Sequence, residues 1–259
     1  MKRQNKRKRP VILSIGSTDP TSAAGITRDL LVYERLGADG ALALAAVTAQ
    51  NSRRVAEVYA LPARALRNQL DAITQERRIS AVRVGLVPSA QLLAAVARFV
   101  RSQRRRLPIV LDPVISSSSN HRFLGSAEIG ALEGLMKLAT VITPNAAEAA
   151  ELSGRRVRTV ADARDAAIRL RKCGCAVLVT GGHIRGKDSV DVLADANGVV
   201  EFRAPRIAAS MRGTGCTLAA AIAVYLGRGL GLRAAVRNAR AFVRSQLEAH
   251  RRVRGKVSP

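Results

Sequence analysis

The residues with the most chemical promise form one turn, Arg212-Gly213-Thr214-Gly215-Cys216-Thr217, followed at once by an Ala/Leu-rich stretch. Glycine lets backbone N–H groups face a ligand without a Cβ in the way. A helix start adds unpaired N–H donors and the positive end of the helix dipole. Gly213, Thr214 and Gly215 therefore suit an anion hole for a phosphoryl group in transfer. Cys216 lies in the same field, which lowers a thiol pKa, so it can act as base toward a substrate hydroxyl. The same pattern also describes a plain glycine turn entering a helix.

Four further groups carry polar chemistry. Thr143-Pro144-Asn145-Ala146-Ala147-Glu148 places Asn145 and Glu148 three apart at a helix beginning, hence on one face. An amide and a carboxylate suit Mg²⁺, usually through waters. They also suit a helix cap, with Asn first and Glu third. Asp112, in Leu111-Asp112-Pro113-Val114, can bind a metal or polarise a water, or simply start a turn with Pro113. Ser17-Thr18-Asp19-Pro20 leads through Ala24-Gly25 to Asp29, a carboxylate that can meet a substrate or merely complement a helix start. Thr48-Ala49-Gln50-Asn51 offers two carboxamides that can read a heterocycle edge or serve a turn.

These groups need elements to position them. Apolar runs at 11–16, 41–48, 81–85, 108–114, 141–143 and 176–182 read as strands. Amphipathic stretches at 25–36, 62–77, 88–103, 126–138, 146–152, 160–172, 214–225 and 232–250 read as helices. Segments 189–193 and 199–204 flank Ala196-Asn197-Gly198 and read as a hairpin, since Asn-Gly supplies positive φ. Strands alternating with helices predict an α/β fold, a mainly parallel central sheet with helices on both faces. Ligands then bind beyond the carboxyl ends of the strands, where all five polar groups fall. With no repeat and no break in composition, the expectation is a disordered basic tail at 1–9 and one domain over 10–259.

Composition limits the function classes. The chain has 259 residues, 47% hydrophobic, enough for one large core. No apolar run reaches the roughly 18 residues of a membrane span, and no signal peptide is evident. Cys173, Cys175 and Cys216 give no standard zinc pattern and read as reduced thiols of a cytoplasmic protein. The net charge of +24, from 43 Lys+Arg against 19 Asp+Glu, predicts attraction to polyanions or phosphorylated metabolites. Basic knots stand near the N-terminus, at Arg104-Arg105-Arg106, and from Arg251 to Lys256. Aromatics are only 3%, so a stacking platform for single-stranded nucleic acid is poorly supplied.

From about Val11 to His250 the chain resembles the hydroxymethylpyrimidine/phosphomethylpyrimidine kinases of thiamin biosynthesis, within the ribokinase-like superfamily. The matching stretches include Gly16-Ser17-Thr18-Asp19-Pro20, Val47-Thr48-Ala49-Gln50-Asn51-Ser52, Val84-Gly85-Leu86, Leu111-Asp112-Pro113-Val114 and Ile142-Thr143-Pro144-Asn145 with Glu148. Gly181-Gly182-His183, Ala204-Pro205-Arg206-Ile207 and Gly213-Thr214-Gly215-Cys216-Thr217-Leu218 complete the set, the last being the most specific. The resemblance implies a ribokinase-like fold and a Mg-ATP phosphotransferase acting on a pyrimidine hydroxymethyl group. It implies Cys216 as base, with Gly213, Thr214 and Gly215 as the anion hole. Asp29 and Gln50 would face the pyrimidine, with Leu86 and Val114 packed on it. Asp112 and Glu148 would serve the metal, with Asn145 helping, and Thr180, Arg212 and Asn145 would line the nucleotide side. A homodimer is expected on the same basis.

The chain also departs from that family. The usual Ser-Gly-Gly-Ala-Gly run is Thr21-Ser22-Ala23-Ala24-Gly25, the Met after Gly85 is Leu86, and the Lys before Gly-Gly-His is Thr180. The loop after Asp112 reads Ser116-Ser117-Ser118-Ser119-Asn120, and Arg212 replaces the His before Gly-Thr-Gly-Cys. Arg212 can supply the charge that Thr180 lacks, because guanidinium suits phosphate. Two alternatives stand beside the main reading. One is a kinase of a related heterocycle such as pyridoxal. The other is a weakly active kinase-like protein that binds nucleic acid.

Overall fold

The computed structural model describes residues 9–103 and 107–255. The basic residues from Lys2 to Lys8, the Arg104–Arg106 knot and Lys256 lie outside them. Arg9, expected in the tail, is instead tied to Glu34 and Asp39 at 3.2 and 3.1 Å.

Nine strands form one sheet in the order β3-β2-β1-β4-β5-β6-β7-β8-β9. They are β1 (Val11–Ser17), β2 (Asp39–Gln50), β3 (Val55–Ala60), β4 (Ala81–Val84), β5 (Ile109–Leu111), β6 (Val141–Ile142), β7 (Ala176–Val179), β8 (Asp188–Asp195) and β9 (Gly198–Pro205). From β2 across to β7 every pairing is parallel, while β3, β8 and β9 run antiparallel at the edges. This is the expected mainly parallel architecture. The central strands are buried on both faces, which explains runs that are apolar throughout in β5 and β6 and broken only by Arg83 in β4.

Helices α1 (Gly25–Arg35), α7 (Thr214–Gly227) and α8 (Leu232–Gly255) cover one face. Helices α2 (Ala63–Glu76), α3 (Ala90–Ser102), α4 (Ser126–Met136), α5 (Ala146–Ser153) and α6 (Val160–Arg171) cover the other. Local chemistry sets several boundaries. Ser89 Oγ caps α3 by accepting the Leu92 N–H at 3.2 Å, so that helix begins two residues after Pro88. Thr159 and Asp162 form a capping box on α6. The two-residue turn Ala196-Asn197 joins β8 to β9, with Gly198 at φ +101°.

Among the described residues β3 is the one strand the sequence did not suggest. It is a half-exposed edge strand carrying Glu57, so it shows neither a clean alternation nor a buried run. α7 is the opposite case. Every residue from Thr217 to Val224 is buried, because α1 and α8 flank it against the sheet. Ile222, fully buried there, should cost about 2–5 kcal/mol when cut to alanine. Urea unfolding of Ile222→Ala measures this, with an unchanged midpoint as the contrary outcome.

Candidate functional site

The carboxyl ends of the parallel strands carry the candidate residues side by side. Gln50 ends β2, Leu86 follows β4, Asp112 follows β5, Asn145 follows β6 and Thr180 follows β7. Backbone bonds fix these exits to one another. Gly85 N–H donates to Ile15 O at 2.8 Å, Asp112 N–H to Val84 O at 2.8 Å, and Thr180 N–H to Pro144 O at 2.9 Å. Ser17 Oγ reaches Leu86 O at 3.0 Å, and Thr48 Oγ1 reaches Thr18 O at 2.7 Å. Gln50, Leu86 and Val114 are each half-buried around this edge. Two surface cavities among the described residues lie elsewhere. One is lined by Val82, Ile109 and their neighbours and the other by Thr140, Ala176 and theirs, near the strands' amino ends, and neither holds a candidate residue.

Beneath the exits lies a charge cluster built on Arg83, in the middle of β4. Its side chain is only 1% exposed. Nη1 stands 3.3 Å from Asp29 Oδ2, and Nη2 stands 2.5 Å from Asp112 Oδ2. Ser14 Oγ donates to the same Asp29 oxygen at 2.8 Å and lies 2.6 Å from the Tyr33 hydroxyl. Asp29 is thus sealed inside rather than facing a ligand openly: it is 0% exposed, and only Oδ1 lacks a hydrogen-bond partner. Burial pushes its carboxyl up to about 6, against the pull of Arg83. The sequence reading passed over Arg83. The signal was present, since an arginine inside a buried parallel strand must be paired.

The glycine turn lies across the cluster. Gly213 sits at φ +73° as the cap of α7 and has no side chain to cap it, so the first N–H groups of the helix keep no side-chain acceptor. A Cβ on Gly213 would fall 1.9 Å from Ala23 O, so the 18–24 loop rests directly on the turn. Gly215 is exposed, and a Cβ there would meet nothing within 4 Å, which leaves its backbone open to close approach. Arg212 bridges the same two segments through Asp19, at 3.6 Å. Arg28 ties α1 to the turn and to α7, donating from Nε to Thr217 Oγ1 at 3.2 Å and from Nη2 to Met211 Sδ at 3.6 Å.

Cys216 is half-buried, and the Gly25 N–H points at its sulfur. The sequence argument predicts a lowered thiol pKa from the helix field. The surroundings reverse that: burial pushes the thiol up to about 12, with Arg83 pulling down and Asp112 and Asp29 pushing up. Desolvation outweighs the dipole because the sulfur lies between two packed helix starts.

On the metal side, Asn145 and Glu148 form the reciprocal cap that their spacing allowed. Asn145 Oδ1 accepts the Ala147 and Glu148 N–H groups at 2.9 and 3.1 Å, and Glu148 Oε2 accepts the Asn145 N–H at 2.8 Å. Burial, together with the charge of Asp112, pushes Glu148 up to about 8. A buried carboxyl that resists ionising beside the Asp112 charge is a donor that a divalent cation would relieve. Among the described residues no cluster of three or more His, Cys, Asp or Glu could hold a metal. Mg²⁺ needs no such cluster, because it is commonly held by one or two carboxylates, waters and substrate phosphates. Thr180 opens the loop that follows β7. Arg206 pins that loop by donating to the carbonyls of Gly182 at 2.7 Å, Gly186 at 3.2 Å and Ile184.

The family model described as phosphomethylpyrimidine kinase matches residues 19–259. The chain belongs to that family. It is 38% identical over 243 residues to the hydroxymethylpyrimidine/phosphomethylpyrimidine kinase of Rhizobium meliloti, covering 92% of this chain and 91% of that one. It spans only 48% of a bifunctional thiamine biosynthesis protein from Geobacter sulfurreducens, to which it is 36% identical over 235 residues, 90% of this chain. Its structure superposes on phosphomethylpyrimidine kinase from Clostridium difficile with a TM-score of 0.81 at 28% identity, covering 92% and 99% of the two chains. A pyridoxal kinase from Staphylococcus aureus in complex with pyridoxal gives 0.84 at 26% identity, covering 92% and 88%. The fold is therefore ribokinase-like, and the chain is a phosphotransferase. Among the described residues no helix is long and apolar enough to cross a membrane.

Two outcomes follow for this kinase. A thiol near 12 is about 0.01% ionised at pH 8, so iodoacetamide should modify Cys216 far more slowly than free cysteine, by roughly a thousandfold. Its rate should still be rising at pH 10. Mass spectrometry of the modified peptides measures it, and a plateau by pH 9 would contradict the burial argument. Gly213→Ala should lose at least about 1–3 kcal/mol in thermal unfolding, because its Cβ meets the Ala23 carbonyl at a strained φ.

Proposed function

We propose that the chain transfers a phosphoryl group from ATP to a hydroxymethylpyrimidine, to its monophosphate, or to both, in thiamin biosynthesis. One observation carries the reading. Cys216 stands at the start of α7, beside N–H groups without a side-chain cap, with Asp112 and Glu148 at neighbouring strand exits. Phosphoryl transfer asks little covalent work of a protein. It asks for positioning, and for donors aimed where charge develops.

In this assignment the backbone N–H groups of Gly213, Thr214 and Gly215 hold the transferring phosphoryl oxygens. Cys216 accepts the hydroxyl proton as the phosphoryl group leaves ATP. Gln50 meets the heterocycle edge, and Leu86 and Val114 pack its faces. Asp29 holds the substrate side through the Arg83 cluster. Asp112 and Glu148 would hold Mg²⁺, which neutralises charge on the nucleotide phosphates. Arg212, partly exposed beside the turn, offers the guanidinium that Thr180 cannot. Three free thiols agree with a reducing cytoplasm. The proposal includes a single kinase domain over 10–259, a homodimer, and loose polyanion contact through the basic ends, the last supported by the net charge of +24.

The decisive assay uses ATP, Mg²⁺ and the hydroxymethylpyrimidine, with pyridoxal as competing substrate. Wild type should turn over the pyrimidine, and Cys216→Ala should lose about 100-fold or more in kcat. The proposal fails if wild-type turnover is no higher than that of the variant. Faster turnover of pyridoxal would move the assignment to the related heterocycle.

A further inference from the structure

Arg83 holds a place that stability alone does not explain. It is the largest of the fully buried side chains and lies between Val82 and Val84 in a strand that otherwise carries only apolar residues. Burying a guanidinium is expensive, and a buried ion pair stabilises a fold weakly compared with apolar packing. The surroundings are nevertheless built for it. A Cβ on Gly85 would fall 2.0 Å from Arg83 Nη1, so glycine at that position leaves the guanidinium its room. The pairing is also incomplete, with Arg83 Nε and Asp29 Oδ1 both buried without a hydrogen-bond partner.

The guanidinium gathers groups from separate elements. Asp29 comes from α1, on the substrate side of the site, and Asp112 follows β5, on the metal side. The Cys216 sulfur, at the start of α7, lies close enough to feel the charge of Arg83. One cation thus joins two carboxylates, and its charge reaches the atom assigned as base.

We propose that Arg83 is a positioning residue for phosphoryl transfer, locking Asp29 and Asp112 to one point and supplying the buried positive charge that a Cys216 thiolate needs beside it. The inference rests on the reading of Cys216 as base. Its physical content is that the charge matters, not the bulk. Arginine has a forked donor that can serve two carboxylates at once, whereas lysine keeps the charge but offers a single point. Methionine keeps comparable bulk and neither property.

The test compares Arg83→Lys, Arg83→Met and Arg83→Gln by kinetics, thermal unfolding and Cys216 alkylation at one fixed pH of about 8.5, near the pKa of a free thiol. Arg83→Lys should stay within about tenfold of wild-type kcat, and the neutral variants should lose about 100-fold or more with a smaller change in KM. Alkylation of Cys216 should slow about tenfold or more in the neutral variants and stay near wild type in Arg83→Lys. If Arg83→Met does not fold, Arg83→Gln carries the neutral arm. Should both fail, Arg83→Lys still decides, because a loss there as deep as that of Cys216→Ala overturns the inference. Neutral variants that keep kcat and thiol reactivity while only Tm moves would make Arg83 merely structural and also overturn it. A wild type that leaves the pyrimidine unphosphorylated defeats the functional reading instead, and the thiol measurement then stands alone on Arg83.

Discussion

A charge inside a parallel sheet must find partners within reach, because no water is there to solvate it. Arg83 imposes that condition on the centre of this protein. Asp29 on α1 and Asp112 after β5 supply the partners, and Ser14 on β1 braces Asp29 from below. One guanidinium thus joins β4, α1 and the exit of β5, and Ser14 adds β1 through Asp29. Gly85 has to be small for the guanidinium to fit. The strand exits above the cluster inherit that arrangement through backbone bonds between neighbouring strands.

The second organising contact is steric. The 18–24 loop and the turn before α7 touch backbone to backbone at Ala23 and Gly213. That loop reads Thr21-Ser22-Ala23-Ala24-Gly25, and its Ala23 carbonyl makes the contact. Ionic and polar ties have gathered around it, from Arg212 to Asp19 and from Arg28 to Thr217 and Met211. Arg212 thereby fastens the 18–24 loop to the turn, and Arg28 fastens α1 to it. Much of the unusual basic charge is spent differently, on helix surfaces. Some of it is paired there, as at Arg233 with Asp195 and Arg240 with Asp191.

Electrostatics in the site follow burial more than dipoles. Glu148 is pushed to about 8 and Cys216 to about 12, both chiefly by desolvation. A helix start favours negative charge only as far as its first turn is open to the group concerned. At Cys216 two helix starts converge, and their packing removes more water than their N–H groups replace. A buried cation and a divalent metal are the remaining sources of compensation, and the residues present suit both.

The sequence by itself determined the layered α/β architecture, most element boundaries, the family and the strand-end positions of the polar groups. Those features follow from local periodicity, turn chemistry and motif spacing, all of which are written in short stretches of chain. β3 escaped because an exposed edge strand leaves little periodic trace. Only the tertiary structure decided that Asn145 and Glu148 close a reciprocal helix cap, that Asp29 is sealed, and that Cys216 is desolvated. It alone brought Arg83 to Asp29 and Asp112, 54 and 29 residues away along the chain. Burial and ion pairing depend on what arrives from elsewhere in the fold. A sequence can show that an arginine in a buried strand needs partners, but not which carboxylates will meet it.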